Sequence, residues 1–327
     1  MPKAMIAPAP LATLQGEFIN VLKRAEFDLV YPANQLQMLE GDVLSQMVGI
    51  SASLAGSEPY TRKVFEALPE LKIVARAGVG WDAVDVQAAT DHGVVVCIAP
   101  GTNQEAVAEH TFLLILALAK NLMAQHQPIK DGKWPRKANL PLRGRVLGLV
   151  GLGRIGKTVA LRGLAFGMKI VAYEPYPDLA FIEKHGIKLT TLEDVLKQGD
   201  YVSLHLPLSP ESKHLINRKS LALMKPTAFL VNTARGAIVD EPALHEALKE
   251  KKLAGAGLDV FDEEPPGAAN PLLHLDNVVL TAHTAGVDLQ SRDEMALLAA
   301  QCIARISKGE WPAECIVNPE VKDKFKW

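Results

Sequence analysis

Val146-Leu-Gly-Leu-Val-Gly151-Leu-Gly153-Arg-Ile-Gly156-Lys157 opens the stretch that decides the fold, and Lys169-Ile-Val-Ala-Tyr-Glu174 closes it. The apolar run Val146–Val150 has the composition of a buried strand, and the glycines that follow stand at GxGxxG spacing. A helical pattern comes next, then a second apolar strand, Lys169–Tyr173, ending at Glu174. Each glycine has its own task in a dinucleotide site. The first permits a tight turn, the second lets a pyrophosphate approach the backbone, and the third lets helix and strand pack closely. The helix opening near Arg154 points free N–H groups and the positive end of its dipole at phosphate. Glu174, 18 residues past Gly156, stands where a carboxylate accepts from a ribose 2′-OH. Pro175-Tyr176 follows with no Arg, so a 2′-phosphate is repelled and NAD(H) is expected over NADP(H).

The remaining bulk properties narrow the class. At 327 residues the chain is long enough for two domains, and 48% hydrophobic with 22% charged residues is an ordinary globular composition. A formal net charge of −2 gives no reason to expect nucleic acid or an anionic membrane as partner. Cys97, Cys302 and Cys315 are widely spaced without a CxxC, so neither a disulfide framework nor a metal site is expected. Prolines interrupt the opening Met-Pro-Lys-Ala-Met-Ile-Ala-Pro, where a signal peptide needs a continuous apolar core. The longest apolar run, Thr111–Ala119, is far shorter than the ~20 residues of a membrane span and reads as a buried helix. A soluble, cytoplasmic protein is expected.

Up to about Gly101, apolar runs alternate with helical patterns: strands at Phe27–Tyr31, Val48–Ala52, Lys72–Arg76 and Val94–Ile98, helices at Leu14–Ala25, Thr61–Leu68 and Asp85–His92. That rhythm means parallel βαβ units, here without a GxGxxG. After Pro100-Gly101, residues Asn103 to about Gln125 read as one long buried helix, and Gln127–Arg145 as an extended arm or loop. Beyond the glycine stretch, strands are expected at Tyr201–Leu204, Ala228–Asn232, Ala254–Leu258 and Val278–Thr281. Helices are expected at Leu192–Lys197, Lys219–Met224, Pro242–Lys251 and Asp288 to about Lys308. The pattern predicts two doubly wound parallel-sheet α/β domains.

Three further segments sit at expected carboxyl ends of strands, where an open α/β sheet binds its ligands. Asn232-Thr-Ala-Arg-Gly236 offers an Arg, either an anion and carbonyl clamp or a surface ion-pair partner. Leu258-Asp-Val-Phe-Asp-Glu-Glu-Pro265 packs four carboxylates, most of them expected to be solvated. Thr281-Ala-His-Thr-Ala-Gly286 offers a His, which alone is more often structural than catalytic. In combination they suit hydride chemistry. Imidazole titrates near neutral pH, a neighbouring carboxylate favours its charged form, and Arg grips a 2-keto acid through two parallel hydrogen bonds.

These stretches, with Arg76-Ala-Gly-Val-Gly-Trp-Asp-Ala-Val-Asp85, run in order from about Ser51 to Gly286. Through them the sequence resembles the D-isomer-specific 2-hydroxyacid dehydrogenases, closest to the phosphoglycerate dehydrogenase and hydroxypyruvate/glyoxylate reductase branch. The resemblance implies that Arg235 binds the substrate carboxylate and carbonyl, that His283 is the acid/base, and that Glu264 orients it and favours its charged form. The amides around Gly78, Val79 and Gly80 would cradle the carboxylate. Gly151, Gly153 and Gly156, with the amides of Arg154 and Ile155, would hold the pyrophosphate of NAD, and Glu174 its ribose. Leu206, Pro207, Thr233, Ala234, Arg235 and Asp259 would line the nicotinamide half, with His283, Ala285 and Gly286 beside the ring. His110 and His205 match positions usually treated as structural. The resemblance also implies a Rossmann cofactor domain, 103–287, inserted in a flavodoxin-like domain made of 1–102 and 288–327, and a homodimer through the cofactor domain, with the arm Gln127–Arg145 and its Trp134 reaching across.

The sequence departs from that pattern in one place that bears on substrate. Ile50 stands where phosphoglycerate-specific relatives carry an Arg before Ser51-Ala52, which argues against a phosphate-bearing substrate unless Arg62 or Arg136 substitutes. The chain ends soon after its last helix, so a regulatory domain with feedback by serine is not expected. An NAD(H)-responsive corepressor with the same Arg/Glu/His set is the alternative, and a formate dehydrogenase-like reaction is disfavoured because Glu264 is present. The partner expected is a small 2-keto or 2-hydroxy acid, and no metal.

Overall fold

The computed structural model describes residues 1–33 and 37–327. The chain divides into two compact units, Met1–Asn103 with Val287–Trp327, and Gln104–Gly286. Each is built on one sheet, and every pairing between named strands is parallel. A parallel strand is covered on both faces, so it reads as an unbroken apolar run. Residues such as Ala52–Ala55 and Phe229–Asn232 are accordingly buried throughout.

In the first unit the described strands are β1 (Lys3–Ile6), β2 (Asp28–Val30), β3 (Ala52–Ala55), β4 (Ile73–Arg76) and β5 (Val95–Cys97). Their order is β2-β1-β3-β4-β5, the flavodoxin-like arrangement. One face packs on Phe18 and Leu22 of the helix Glu17–Arg24 and on Ala299 and Ile303 of the helix Leu289–Ser307. The other packs on Val43, Val64, Phe65 and Ala88.

The second unit carries β6 (Val146–Val150), β7 (Lys169–Tyr173), β8 (Lys188–Leu189), β9 (Tyr201–Leu204), β10 (Phe229–Asn232), β11 (Gly255–Leu258) and β12 (Val278–Leu280). The order β12-β11-β10-β9-β6-β7-β8 is the Rossmann order with one strand added. The helix Gln104–Ala119 buries Phe112, Leu114, Ile115 and Leu118 in the core on one face of this sheet. It lies so close that a β-carbon on Gly257 would stand 3.0 Å from that of Leu114.

Several local expectations are corrected. The strand expected at Val48–Ala52 is instead Ala52–Ala55. Gly49 has φ +76° and Val48 is exposed, so the chain is still turning there after the unanticipated helix Glu40–Gln46. The helix expected from Asn103 to about Gln125 is two helices, Gln104–Ala119 and Leu122–Lys130, bent by 65°. The break falls at Asn121, φ +48°, a left-handed conformation that Asn tolerates better than most residues. The start of the expected arm Gln127–Arg145 is therefore helical. Strands β1 and β8 and the helix Leu179–His185 were not anticipated. No single helix among the described residues is long and apolar enough to cross a membrane.

Candidate active site

Because the strands of the second sheet are parallel, their carboxyl ends share one edge, and most of the residues singled out above follow those ends. Val150 of β6 pairs with Leu204, Leu204 with Asn232, Asn232 with Leu258, and Leu258 with Leu280. Gly151, Leu206-Pro207, Arg235, Asp259 with Glu264, and His283 thus leave aligned positions on β6, β9, β10, β11 and β12. Glu174 follows β7.

The glycine turn divides its labour as dinucleotide chemistry requires. Gly151 has φ +101°, and a β-carbon there would stand 2.6 Å from the His205 carbonyl oxygen. One on Gly156 would stand 2.3 Å from the Gly151 carbonyl oxygen. Gly153 is different: a β-carbon would meet nothing within 4 Å. The protein itself does not need a glycine at 153, whereas a pyrophosphate laid against the backbone does. The helix Arg154–Ala165 starts at Gly153 without a side-chain cap, so its first amides are available to an anion. Glu174 is anchored at the same turn. Its Oε2 accepts from the Leu152 amide at 2.6 Å and its Oε1 from the Tyr176 amide at 3.0 Å. These residues fit a dinucleotide.

His205 lies under the turn, hydrogen-bonded to the Ser203 hydroxyl at 2.9 Å. Burial pushes its imidazole down to about 3, so it stays neutral at physiological pH.

Asn232, 1% exposed, shapes the loop that carries Arg235. Its Oδ1 accepts from the Ala234 amide at 3.0 Å, and its Nδ2 donates to the Arg235 carbonyl at 2.8 Å. The Arg235 Nη1 donates to the Ala234 carbonyl at 2.6 Å. At Gly236 the loop touches the backbone of the acidic segment, for a β-carbon there would fall 1.8 Å from the Phe261 carbonyl carbon.

Within that acidic segment the carboxylates have separate fates. Asp259 is fully buried and clamps the loop after β12. Its Oδ1 accepts from the Thr281 hydroxyl at 2.6 Å and the Thr284 amide at 2.9 Å, and its Oδ2 from the Ala285 amide at 2.9 Å. Its carbonyl accepts from the His283 amide at 2.7 Å. His110 supports the clamp, its Nε2 2.9 Å from the Thr281 hydroxyl and 3.5 Å from Asp259 Oδ1. These bonds hold His283 at φ +52°, in the left-handed region.

From there the His283 Nδ1 meets Glu264 Oε2 at 2.5 Å, while Glu264 Oε1 accepts from the Phe261 amide at 3.0 Å. Burial pushes the Glu264 carboxyl up. The bonds from His283 and Phe261, with the charge of Arg235, outweigh that and hold it below its usual range. The side chain of His283 is 48% exposed, so the ring edge away from Glu264 is open to a ligand. Glu241 pins the segment from behind, accepting from the Asp262 amide at 2.7 Å and from Asn270 Nδ2 at 2.8 Å. Asp262 and Glu263 are exposed.

Sequence reasoning passed over Asn232 and Glu241. The signal for Asn232 was an Asx residue at a strand end, where its side chain turns the backbone. Glu241 carried none, because its partners lie 21 and 29 residues away. In the other unit Gly78, Val79 and Gly80 follow β4 directly, and the Gly78 carbonyl accepts from the Ala99 amide at 2.8 Å. Among the described residues no group of three or more His, Cys, Asp or Glu side chains is arranged to hold a metal ion.

A dinucleotide turn and a carboxylate-paired imidazole on one sheet edge define the class: an NAD-binding oxidoreductase acting on hydroxy acids. Comparison with known proteins makes this specific. The family model described as D-isomer specific 2-hydroxyacid dehydrogenase, NAD binding domain, matches residues 112–285. The chain is 42% identical over 271 residues to a glyoxylate reductase of Korarchaeum cryptofilum, covering 81% of each. It is 44% identical over 261 residues to a D-3-phosphoglycerate dehydrogenase of Methanocaldococcus jannaschii, covering 79% of this chain and about half, 49%, of that protein. A solved structure, the TT0316 protein of Thermus thermophilus, superposes with a TM-score of 0.87 at 36% identity, covering 97% of this chain and 100% of the other. The chain belongs to the D-isomer-specific 2-hydroxyacid dehydrogenase family, and its cofactor is NAD.

Proposed function

We propose that the chain interconverts a D-2-hydroxy acid and its 2-keto acid with NAD(H), acting as a glyoxylate or hydroxypyruvate reductase. The observation that carries the reading is the 2.5 Å contact between His283 and Glu264, one strand from Arg235. When bound, NADH would supply the hydride for the carbonyl carbon. His283 directs Nδ1 to Glu264, which leaves Nε2 to give a proton to the carbonyl oxygen and, in oxidation, to take it back. Glu264 fixes the ring and stabilises its protonated form. Arg235 binds the substrate carboxylate and polarises the carbonyl, and in the first unit the amides at Gly78, Val79 and Gly80 are donors suited to a carboxylate. The amides of Arg154 and Ile155 hold the pyrophosphate, and Glu174 takes the ribose hydroxyls and turns away a 2′-phosphate. Leu206, Pro207, Thr233, Ala234, Asp259, Ala285 and Gly286 shape the nicotinamide half.

The protein acts as a homodimer through its cofactor unit. Supporting this, Leu122, Met123 and Ile129 are exposed, and so is Trp134 at 77%. A cytoplasmic setting suits the free thiols of Cys97, Cys302 and Cys315. The test is NADH oxidation against a panel of 2-keto acids that includes glyoxylate and hydroxypyruvate. Turnover of these is expected, whereas NADH binding with no turnover of any of them would sink the reading in favour of a corepressor-like sensor.

A further inference from the structure

One buried carboxylate at the strand ends of the first unit has no task in the scheme above. Glu58 lies just past β3, is 2% exposed, and accepts from the Gly56 amide through Oε2 at 2.6 Å. Across the sheet Ala55 pairs with Arg76, and the Arg76 charge acts on the Glu58 carboxylate. Burial pushes the Glu58 carboxyl above its usual range, further than the Gly56 amide, its own amide and Arg76 pull it down. A guanidinium keeps its charge in proteins, and a buried carboxylate left uncompensated is strongly unfavourable, so the two groups act together.

The guanidinium also adjoins the turn that follows β4. A β-carbon on Gly78 would stand 3.7 Å from an Arg76 Nη2. Tyr60 fastens the same loops, its amide donating to the Ala83 carbonyl at 2.7 Å and its carbonyl accepting from the Asp85 amide at 2.8 Å. The other sources of positive charge weighed from the sequence are weak in this unit. Ile50 is buried and apolar, and Arg62 is paired with Asp91 at 2.9 Å.

We propose that Glu58 is a specificity-determining residue. By balancing Arg76 beside the Gly78–Gly80 turn, it leaves electrostatic room for the substrate's one carboxylate and disfavours substrates that carry a second anionic group, such as a phosphate. The proposal rests on the reading of the chain as a 2-keto acid reductase.

Hydroxypyruvate and 3-phosphohydroxypyruvate differ by the phosphate alone and make the test. Wild type is expected to prefer hydroxypyruvate. Glu58→Gln keeps the shape and removes the charge, and should shift the kcat/KM ratio toward the phosphorylated substrate about tenfold, chiefly through KM. Adding Arg76→Gln should abolish that gain. An unchanged ratio in a folded Glu58→Gln protein overturns the proposal, and so does a wild type that already favours the phosphorylated substrate. Should Glu58→Gln fail to fold, Arg76→Gln alone leaves the Glu58 charge unbalanced and should depress use of the phosphorylated substrate further. No change there also overturns the proposal. A wild type that reduces no 2-keto acid at all removes the enzyme reading first, which separates the two failures.

Discussion

The two sheets have similar winding, yet they use polar residues at their carboxyl ends in opposite ways. In β3 and just past it, Ser53, Glu58 and Tyr60 are at most 2% exposed; the Ser53 and Tyr60 hydroxyls bond to each other, and Glu58 accepts from the Gly56 amide. After β11 and β12, Asp259 is buried in the same manner, but Glu264 and His283 are 35% and 48% exposed and are paired. Buried polar groups of the first kind set the shape of loops, because unsatisfied donors and acceptors are expensive in the interior. A half-exposed pair held at short distance is a different object. It gains little stability from its contact, so its geometry is better explained by chemistry than by folding. Asp259 joins the two uses: by clamping Thr281, Thr284 and Ala285 it sets the backbone from which His283 reaches Glu264.

Breaking the exposed pair should have the largest effect on rate. His283→Ala is expected to lower kcat by about 10²–10⁴-fold with NADH affinity nearly unchanged, measured by steady-state kinetics and fluorescence titration. Equal turnover would remove the acid/base role. Glu264→Gln should lose less, because the imidazole remains.

Two glycine substitutions sharpen the contrast between shape and ligand. Gly156→Ala drives a methyl into the Gly151 backbone and should destabilise the protein by about 1–3 kcal/mol. Gly153→Ala meets no protein atom and should leave stability within about 0.5 kcal/mol, yet weaken NADH about tenfold or more. Thermal melts and NADH titration on the two variants decide the matter. A Gly153→Ala protein that binds NADH normally would take the pyrophosphate away from this turn.

Glu174→Ala should weaken NADH and narrow the preference over NADPH, read as the ratio of their kcat/KM values. A wild type that prefers NADPH contradicts the role given to this carboxylate.

The smallest effect concerns stability alone. Burial opposes the charge on Asp200, and Lys225 at 2.8 Å, the Val146 amide at 2.8 Å and Arg145 overcome it, so its carboxyl sits below the usual range. A depressed carboxylate contributes stability above its unfolded value of about 3.9, and that contribution is lost as pH falls through the lower folded value. Asp200→Asn should therefore reduce the melting temperature near neutral pH and narrow the gap to wild type as pH falls below about 4.

Much of the second sheet was legible from composition, because strands buried on both faces must be apolar throughout. The limits expected for β9 and β7 coincide with those observed, and those for β10, β11 and β12 differ by one residue at one end. Where local signals were weak, the reading slipped. β1 is short and flanked by prolines, and β8 has two residues, both exposed. The break at Asn121 lies in a run whose composition favours helix on both sides. At the site, the glycine spacing and the Arg, Glu and His could be picked out by residue type and order. The Asp259 clamp, the turn made by Asn232 and the Glu241 tether could not, since each depends on which distant backbone amide arrives beside a carboxylate or an amide side chain.

The sequence by itself determined the parallel α/β class, the dinucleotide turn and the residue types available for acid/base and anion chemistry. These follow from hydrophobic period and from backbone freedom at glycine, both properties of short stretches. Only the tertiary structure decided that His283 sits at a positive φ within 2.5 Å of Glu264, and that Gly153 is open while Gly151 and Gly156 are crowded. It likewise decided that Glu58 is buried with Arg76 acting on it. Those facts belong to hydrogen bonds and contacts between residues far apart in the chain, whose geometry exists only once the sheets have formed.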